Sequence, residues 1–452
     1  MPPSLRAASL NDWIARWRPI LPLFLAEFVV WLGFGAFLPV LPLYLTAQGI
    51  DLGTLGLIVA AWPAARLIAE PVFGWIADRT ARKPIMVGAL LVNAVVIPLP
   101  LVVQGAVAFV AIRAMAGLAT AAYDPAARGF LVDSTPADRQ GEAFGLYGAA
   151  QMAGLLVGPA IGGFGASVVG NVSFVFWFSA ISSIASALVI VVAVREGRRT
   201  RVGTGIPAEG VTELPGSAGG GMPSGWRPES FSTDGQPEAL GDAGMGSVDR
   251  AKPRTLLNRL LLAAIVINAG GAFAQGTYEV IWSLFLTSLG AGLDLIGATF
   301  ATFAIPILLF SPLAGRIVDR RGGLPFIVVG TLMTMFSGVA YTLIQNPLLA
   351  FPLILIESTG FAVLFPALFA VVAAGSPVGR SSTAQGLFGS AGTVGFIVSA
   401  LVAGQLAEVG IRIPFVMFVL TSGACLAIGL AIGARSIEAL SPARGATGER
   451  LV

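Results

Sequence analysis

The sequence predicts an all-α membrane protein with twelve transmembrane helices arranged as two six-helix repeats. Three observations carry that expectation. Of 452 residues, 56% are hydrophobic and only 11% are charged, against about 25% charged in ordinary soluble domains, and the mean hydropathy is +0.84. Segments long enough to cross a bilayer, which takes about 20 apolar residues, recur twelve times. The two sets of six also keep one register. A chain of this composition cannot cover a water-facing surface, so a soluble enzyme, a nucleic-acid binder and a disordered scaffold are excluded as whole-chain readings.

The first set of spans lies near 20–46, 53–77, 84–103, 106–132, 142–168 and 172–194. The second lies near 257–289, 294–317, 325–345, 347–374, 382–408 and 412–434. The first span is too long and too interrupted by Pro and Gly for a signal-peptide core, and no small-residue cleavage site follows it. The expected organisation is a cytoplasmic segment 1–19, a bundle 20–194, a linker 195–254, a second bundle 255–434 and a cytoplasmic tail 435–452. The linker contains GTGIPAEG, LPGSAGGGMPSGW and STDGQPEALGDAGMG, which bury too little apolar surface to fold alone; a flexible cytoplasmic connector is expected.

Orientation follows from the basic residues. Arg6, Arg16 and Arg18 precede the first span, Arg79, Arg82 and Lys83 follow the second, and Arg316, Arg320 and Arg321 follow the eighth. Loops on the opposite side carry almost none, Arg412 being the exception. The positive-inside rule then puts both termini in the cytoplasm and the protein in the cell (inner or plasma) membrane.

The repeat is visible residue by residue. Gly74 and Gly315 are 241 apart, as are Asp78 and Asp319, Arg79 and Arg320, Pro84 and Pro325, Gly49 and Gly290, Pro125 and Pro366, Arg139 and Arg380, and Gly145-Leu146 and Gly386-Leu387. Two parallel six-helix units joined by a cytoplasmic linker are an architecture of secondary transporters.

The repeat also works as a filter. Residues common to both halves belong to the architecture, so unmatched buried charges are the functional candidates. Glu27, Arg66, Glu70, Arg113 and Asp124 face Asn268, Ile307, Ser311, Ile354 and Phe365 in the second half. Glu279 stands opposite Leu38, and Glu357 opposite Ala116. An arginine inside a membrane costs about 2.5–3.5 kcal/mol on insertion scales, so Arg113 needs a cavity or a partner. Arg66–Glu70 and Asp124–Arg128 are each one helical turn apart and can neutralise each other. Glu27 has no basic partner on its own helix. Histidine is absent and Cys425 is the one cysteine. Proton carriage therefore falls to carboxylates, and a cysteine metal cluster or an internal disulfide is excluded. No cofactor and no metal are expected, and no nucleophile–base constellation points to an enzyme.

The segments GWIADRTARK at Gly74–Lys83 and GRIVDRRGG at Gly315–Gly323, together with the duplicated six-span layout, resemble the major facilitator superfamily over the whole chain except the linker and termini. The first copy departs from the family pattern with Thr80-Ala81 where a Gly usually precedes the basic pair. The fifth span, Gly154-Leu-Leu-Val-Gly158-Pro159-Ala-Ile-Gly162-Gly163, resembles the antiporter motif of the superfamily's twelve-span drug:proton antiporters. Small residues at that spacing allow close helix packing, and the proline bends the helix. The second half has Gly395, Ser399, Ala400, Ala403 and Gly404 at these positions, without the Gly-Pro. Arg113–Ala121 resembles the motif with a membrane-buried arginine, with Ala116 where a Gln is usual.

The resemblance implies several roles. Gly74, Asp78, Arg79 and Arg82, with Asp133, and in the second copy Gly315, Asp319 and Arg320, would form the cytoplasmic gate latch. Glu27, twelve residues before Pro39, stands where some of these antiporters carry a membrane-embedded glutamate, and would couple protons with Arg113 and Asp124 nearby. Carboxylates shielded from water can take up and release protons near neutral pH. Trp31, Phe34, Phe37, Tyr44, Phe273, Tyr278 and Trp282 lie on the first and seventh spans, which line the central cavity in this fold. There Phe34, Tyr278, Glu279 and Glu357 would meet substrate. Five buried acids against two buried arginines favour cationic cargo. The expected function is proton-driven export of small hydrophobic or cationic compounds by a monomer in the lipid bilayer, with no nucleic-acid partner. A specific carrier of sugars or organic acids, and a non-transporting membrane sensor or scaffold, are the alternatives.

Overall fold

The computed structural model describes residues 16–136, 140–195, 257–376 and 381–439, and all regular structure among them is helical. The first half holds α1 (Leu21–Phe37), α2 (Leu41–Ala47), α3 (Leu52–Arg79), α4 (Arg82–Val96), α5 (Ala106–Asp133), α6 (Gln140–Val169) and α7 (Ser173–Ala193). The second half holds α8 (Arg259–Ser288), α9 (Leu293–Arg321), α10 (Leu324–Tyr341), α11 (Ala350–Gly375), α12 (Ser381–Val409) and α13 (Ile413–Glu438). They form twelve helical segments among the described residues that are long and apolar enough to cross a membrane.

The first span is one crossing made of α1 and α2. Leu38–Val40 turns between them, with Pro39 in the turn and Pro42 in the first turn of α2, where a missing N–H is tolerated. Pro63, Pro71 and Pro159 sit inside continuous helices, as does the repeated pair Pro125 and Pro366 inside α5 and α11, whereas Pro98 and Pro100 close the third span in a turn and a 3-10 turn after α4. The last helix runs to Glu438, past the expected bundle limit at 434. Trp17 and Ile20 bury themselves in the first bundle, so the segment expected to precede it already contributes to its core from Trp17 onward. Apart from Arg195, the linker expected over 195–254 lies outside the described residues.

Six crossings bring each half back to the end of the molecule where it began, so residues 16, 195, 257 and 439 share one end, called the near end here. The far end carries the α2–α3 and α8–α9 turns, and these repeat atom for atom. Gly49 and Gly290 have φ of 82° and 87°, the left-handed region that glycine enters without Cβ strain. In one turn Gly49 N–H bonds to Thr46 O and Ile50 N–H to Leu45 O; in the other Gly290 N–H bonds to Thr287 O and Ala291 N–H to Leu286 O. Asp51 then caps α3 by accepting from the Thr54 N–H at 2.8 Å, a bond that holds its carboxyl below the usual carboxylate range. Arg412, the basic exception on this side, donates to the carbonyls of Thr342 and Ile344, just past the end of α10 (3.0 and 2.9 Å).

The apolar cores show how the halves meet. One cluster gathers far-end residues of both halves, among them Leu45, Val59 and Phe176 with Trp282, Phe285 and Phe415. The near ends have separate cores, one confined to the first half and one to the second. Glycines report the same asymmetry. A Cβ on Gly53 would strike the Gln405 amide, one on Gly56 the Ala400 carbonyl, and one on Gly297 the Pro159 carbonyl. Near-end Gly145, Gly148, Gly386 and Gly389 would meet nothing. The halves interlock at the far end and stand apart at the near end.

Candidate substrate and proton site

Glu27 sits on α1 with 0% of its surface exposed. Three neutral donors hold it: Trp31 Nε1 one turn along at 2.9 Å, Tyr123 Oη from α5 at 2.8 Å and Gln151 Nε2 from α6 at 2.6 Å. Such a set satisfies carboxylate oxygens without cancelling their charge. The approach of α6 to α1 that makes this possible comes from glycines. A Cβ on Gly154 would lie 2.8 Å from the Leu32 nitrogen, and one on Gly158 2.8 Å from the Ala36 nitrogen. Gly162 abuts Ala36 in the same way, while Gly163 turns to Gly297 and Leu293 of the other half. Pro159 packs on Gly35. The five small residues thus fix both the α1–α6 seam and the far-end contact between halves.

Arg113 and Asp124, expected beside Glu27, bond elsewhere. Arg113 on α5 reaches across the interface to Glu279 on α8 at 2.8 Å, because a buried guanidinium requires a counter-charge. Asp124 is bound by Arg66 at 2.5 Å and approached by Arg128 at 3.7 Å. Arg66 also reaches Glu70 at 3.3 Å and lies over the Trp62 ring, 4.7 Å from its centroid. The two intrahelical pairs read from spacing are thus parts of one network, centred on the Arg66–Asp124 bond between α3 and α5. Asp124 stays close enough to Glu27 for their charges to interact.

Between the halves lies a cavity of about 310 Å³. Phe34, Tyr278, Glu279 and Glu357 all line it, with Trp62 and Trp282 among its other walls. Phe34 stacks on Trp62 at 5.6 Å and meets Trp31 edge-on at 5.4 Å. A smaller cavity of about 80 Å³ continues into the first half past Tyr123, Asp124 and Arg113. Trp31, Phe34 and Trp62 line both, and Glu27 lines neither. Two of its donors, Trp31 and Tyr123, stand between it and the smaller space.

At the near end Arg82 lies between two acids, 3.6 Å from Asp78 and 3.2 Å from Asp133. Gly129 leaves room for its guanidinium, since a Cβ there would collide with it. Arg79 lies over Trp75, 4.0 Å from the ring centroid. Gly74 faces Pro125 across α3 and α5, whereas Gly315 faces open space. Arg320 is exposed, and the side chain of Asp319 lies outside the described residues.

Tyr123 and Gln151 escape a filter built on charge. The same filter applied to uncharged polar residues finds both, because they face Leu364 and Gly392 in the second half.

A family model matches the chain, and curated relatives and solved structures resemble it. Residues 23–274 and 261–449 match the model of the Major Facilitator Superfamily. The quinolone resistance protein NorA of Staphylococcus aureus is 31% identical over 159 residues, which cover 35% of this chain and 41% of NorA. The chain thus aligns with less than half the length of that relative. Multidrug resistance protein 1 of Bacillus subtilis (strain 168) is 24% identical over 423 residues, covering 90% of this chain and 92% of its own. Among solved structures, a bacterial homologue of the human lysosomal transporter Spinster, inward-facing and unoccupied, superposes with a TM-score of 0.69 at 17% identity, covering 94% of this chain and 98% of that one. The nucleoside transporter NupG gives 0.68 at 14% identity over 91% and 99%. At these identities the structural likeness speaks for the fold.

Proposed function

The chain belongs to the Major Facilitator Superfamily, and from that premise we propose that it is a proton-coupled antiporter exporting small hydrophobic or cationic compounds. The observation that carries this reading is Glu27, a buried carboxylate held by three neutral donors behind the aromatic wall of a cavity between the halves. The names of the quinolone and multidrug resistance relatives support drug export as the class. With the arginine-rich near end in the cytoplasm of the plasma membrane, the cavity faces the cytoplasm, ready to load cargo.

In the proposed cycle, Glu27 receives its proton while the cavity faces outward. The far end then closes, as seen here, and the near end parts. Loss of the proton to the cytoplasm leaves a negative charge inside the first half, which favours capture of a cationic or polarisable compound. Reopening outward requires the near ends to meet, and the Arg82–Asp78–Asp133 cluster, which ties the ends of α3, α4 and α5 within the first half, is the proposed first-half side of that latch. Each charge moved through about 100 mV supplies about 2.3 kcal/mol, so the gradient drives accumulation without a cofactor. The protein is proposed to act as a monomer.

Respiring inside-out vesicles with a pH-sensitive dye test the reading. Adding a transported lipophilic cation should release protons in the wild type, and Glu27→Gln, which keeps the shape and loses the proton site, should reduce that release at least about tenfold. Undiminished release in Glu27→Gln would remove Glu27 from the coupling step.

A further inference from the structure

The three side chains that hold Glu27 differ in what else they touch. Oε1 accepts from Trp31 Nε1 at 2.9 Å and from Gln151 Nε2 at 2.6 Å, and Oε2 accepts from Tyr123 Oη at 2.8 Å. Gln151 lines neither cavity, and Tyr123 lines the 80 Å³ one alone. Trp31 is half-buried and lines both. Phe34 meets its ring edge-on at 5.4 Å and stacks on Trp62 at 5.6 Å, so the three rings form one wall. In the second half the position of Trp31 is Ala272, with neither ring nor donor.

The donors also differ in chemistry. A phenol accepts as well as donates, and an amide can turn its oxygen inward, so Tyr123 and Gln151 can serve either form of the carboxyl. An indole N–H only donates. Its bond to a charged oxygen is about twice as strong as its bond to a neutral one, so whatever fixes the indole in place favours the carboxylate. The other charged and titratable groups near Glu27 are Asp124 and Arg128 on α5 and Tyr147 on α6, with Arg66 of α3 tied to Asp124. The helix α7, which packs on α1 through Ser179 and Ser186, carries no charge. None of these groups lines the 310 Å³ cavity. A compound in that cavity therefore meets Glu27 through Trp31.

We infer that Trp31 is the positioning residue that links a compound in the cavity between the halves to the proton on Glu27. A compound stacked on the Trp31–Phe34–Trp62 wall holds the indole N–H on Oε1, the carboxyl keeps its charge, and its proton passes to water. By reciprocity, a charged Glu27 holds the indole ready for the compound. The inference rests on the antiport reading above and adds that the link runs through a ring, so cargo needs no charge of its own. A neutral aromatic compound then exchanges for a proton as a cation does.

Equilibrium binding to the purified full chain, followed as a function of pH without any gradient, tests this. The probes are neutral triphenylphosphine oxide and the cation methyltriphenylphosphonium. Proton release on binding appears as affinity that rises with pH, and in the wild type both probes should show a rise of up to about tenfold. Glu27→Gln, which cannot titrate, should make both profiles flat. Trp31→Phe keeps a ring and loses the N–H. It should bind the neutral probe at low pH within about threefold of the wild type, with a rise of about twofold or less. The cation, attracted by the carboxylate directly, should keep part of its rise. Trp31→Leu, with neither ring nor N–H, should bind more weakly and be as flat for the neutral probe. Gln151→Leu removes a donor to the same oxygen away from the cavity; it should displace the pH at which the rise occurs and preserve its size. A full rise for the neutral probe in Trp31→Phe or in Trp31→Leu overturns the inference and leaves the antiport reading standing. So does a rise lost in Gln151→Leu as fully as in Trp31→Phe, or a wild-type rise confined to the cation. A rise that persists in Glu27→Gln takes Glu27 out of both. A wild type that binds neither probe, or binds both without regard to pH, sinks the antiport reading and the inference with it.

Discussion

Where the first half carries Glu27, the second half carries Asn268 at the matching position, and Leu364 and Gly392 replace the donors Tyr123 and Gln151. Asn268 turns its amide to Phe388 O at 2.9 Å, in the space that Gly392 leaves open. The backbone is the same on both sides: one helix passing close to another, with a polar side chain in the seam. What differs is whether that side chain can change its charge. The second half uses the position as a fixed clasp on a backbone carbonyl, and the first places there a carboxyl held by three donors, to which the proposed cycle assigns the proton. Repeated positions thus build the molecule, and the proposed cycle draws its chemistry from unrepeated ones.

The largest test of that division strikes the unrepeated pair that joins the halves. Glu279→Gln leaves Arg113 buried without its counter-charge, and arginine does not give up its proton to escape. Breaking a buried pair from one side costs about 3–5 kcal/mol, so this variant should lose most of its thermal stability in detergent. Arg113→Gln leaves an acid that can be neutralised by protonation and should lose less. Replacing both with Met should recover most of the loss, since the desolvation cost disappears along with the attraction. Equal losses in the two single variants would mean that water reaches the pair and screens it.

A smaller effect separates the two α-helical seams. Gly158 has its counterpart in Ser399, which already carries a side chain and bonds through its hydroxyl to Phe273 O. Gly158→Ala forces a methyl against the Leu32–Ala36 backbone and should cost about 1–3 kcal/mol. Ser399→Ala removes a hydrogen bond in a seam that already holds a Cβ and should cost about 1 kcal/mol. Thermal unfolding of the two variants under one detergent reads the difference. If Ser399→Ala proves the more damaging, the close approach is the property of the second half instead.

How much of this is legible in the sequence depends on whether a feature is local. Span length and hydropathy are local, so the twelve crossings appear within a few residues of their helical bounds, and Pro39 and Pro42 betray the break in the first. Internal comparison extends the reach, because a register of 241 residues singles out Glu27, Arg113, Asp124, Glu279 and Glu357 as unmatched. Pairing is not local. Spacing along one helix suggests Arg66–Glu70, but the shorter contact runs to Asp124 on a neighbouring helix. Arg113 finds its acid across the interface, 166 residues away. The parting of the near ends is likewise invisible in composition, because glycine is used both for contact, at Gly53, Gly56 and Gly297, and in open space, at Gly145, Gly148, Gly386 and Gly389.

The smallest effect is also the strictest check on the architecture. Gly49 and Gly290 hold the same left-handed conformation, and their turns make the same backbone hydrogen bonds. In both, a Cβ would meet no neighbouring atom, so substitution by Ala costs conformational strain alone, about 1 kcal/mol. Gly49→Ala and Gly290→Ala should therefore lower the unfolding temperature equally and leave proton release unchanged in both. The flanks of the turns are not equal, because Asp51 caps α3 while Gly292 stands at the matching place before α9. A larger loss at Gly290 would mean that the side-chain cap buffers the first turn against strain. A loss of coupling at Gly49 alone would place the far-end turn of the first half within the transport cycle, and the separation between repeated scaffold and unrepeated chemistry would fail there.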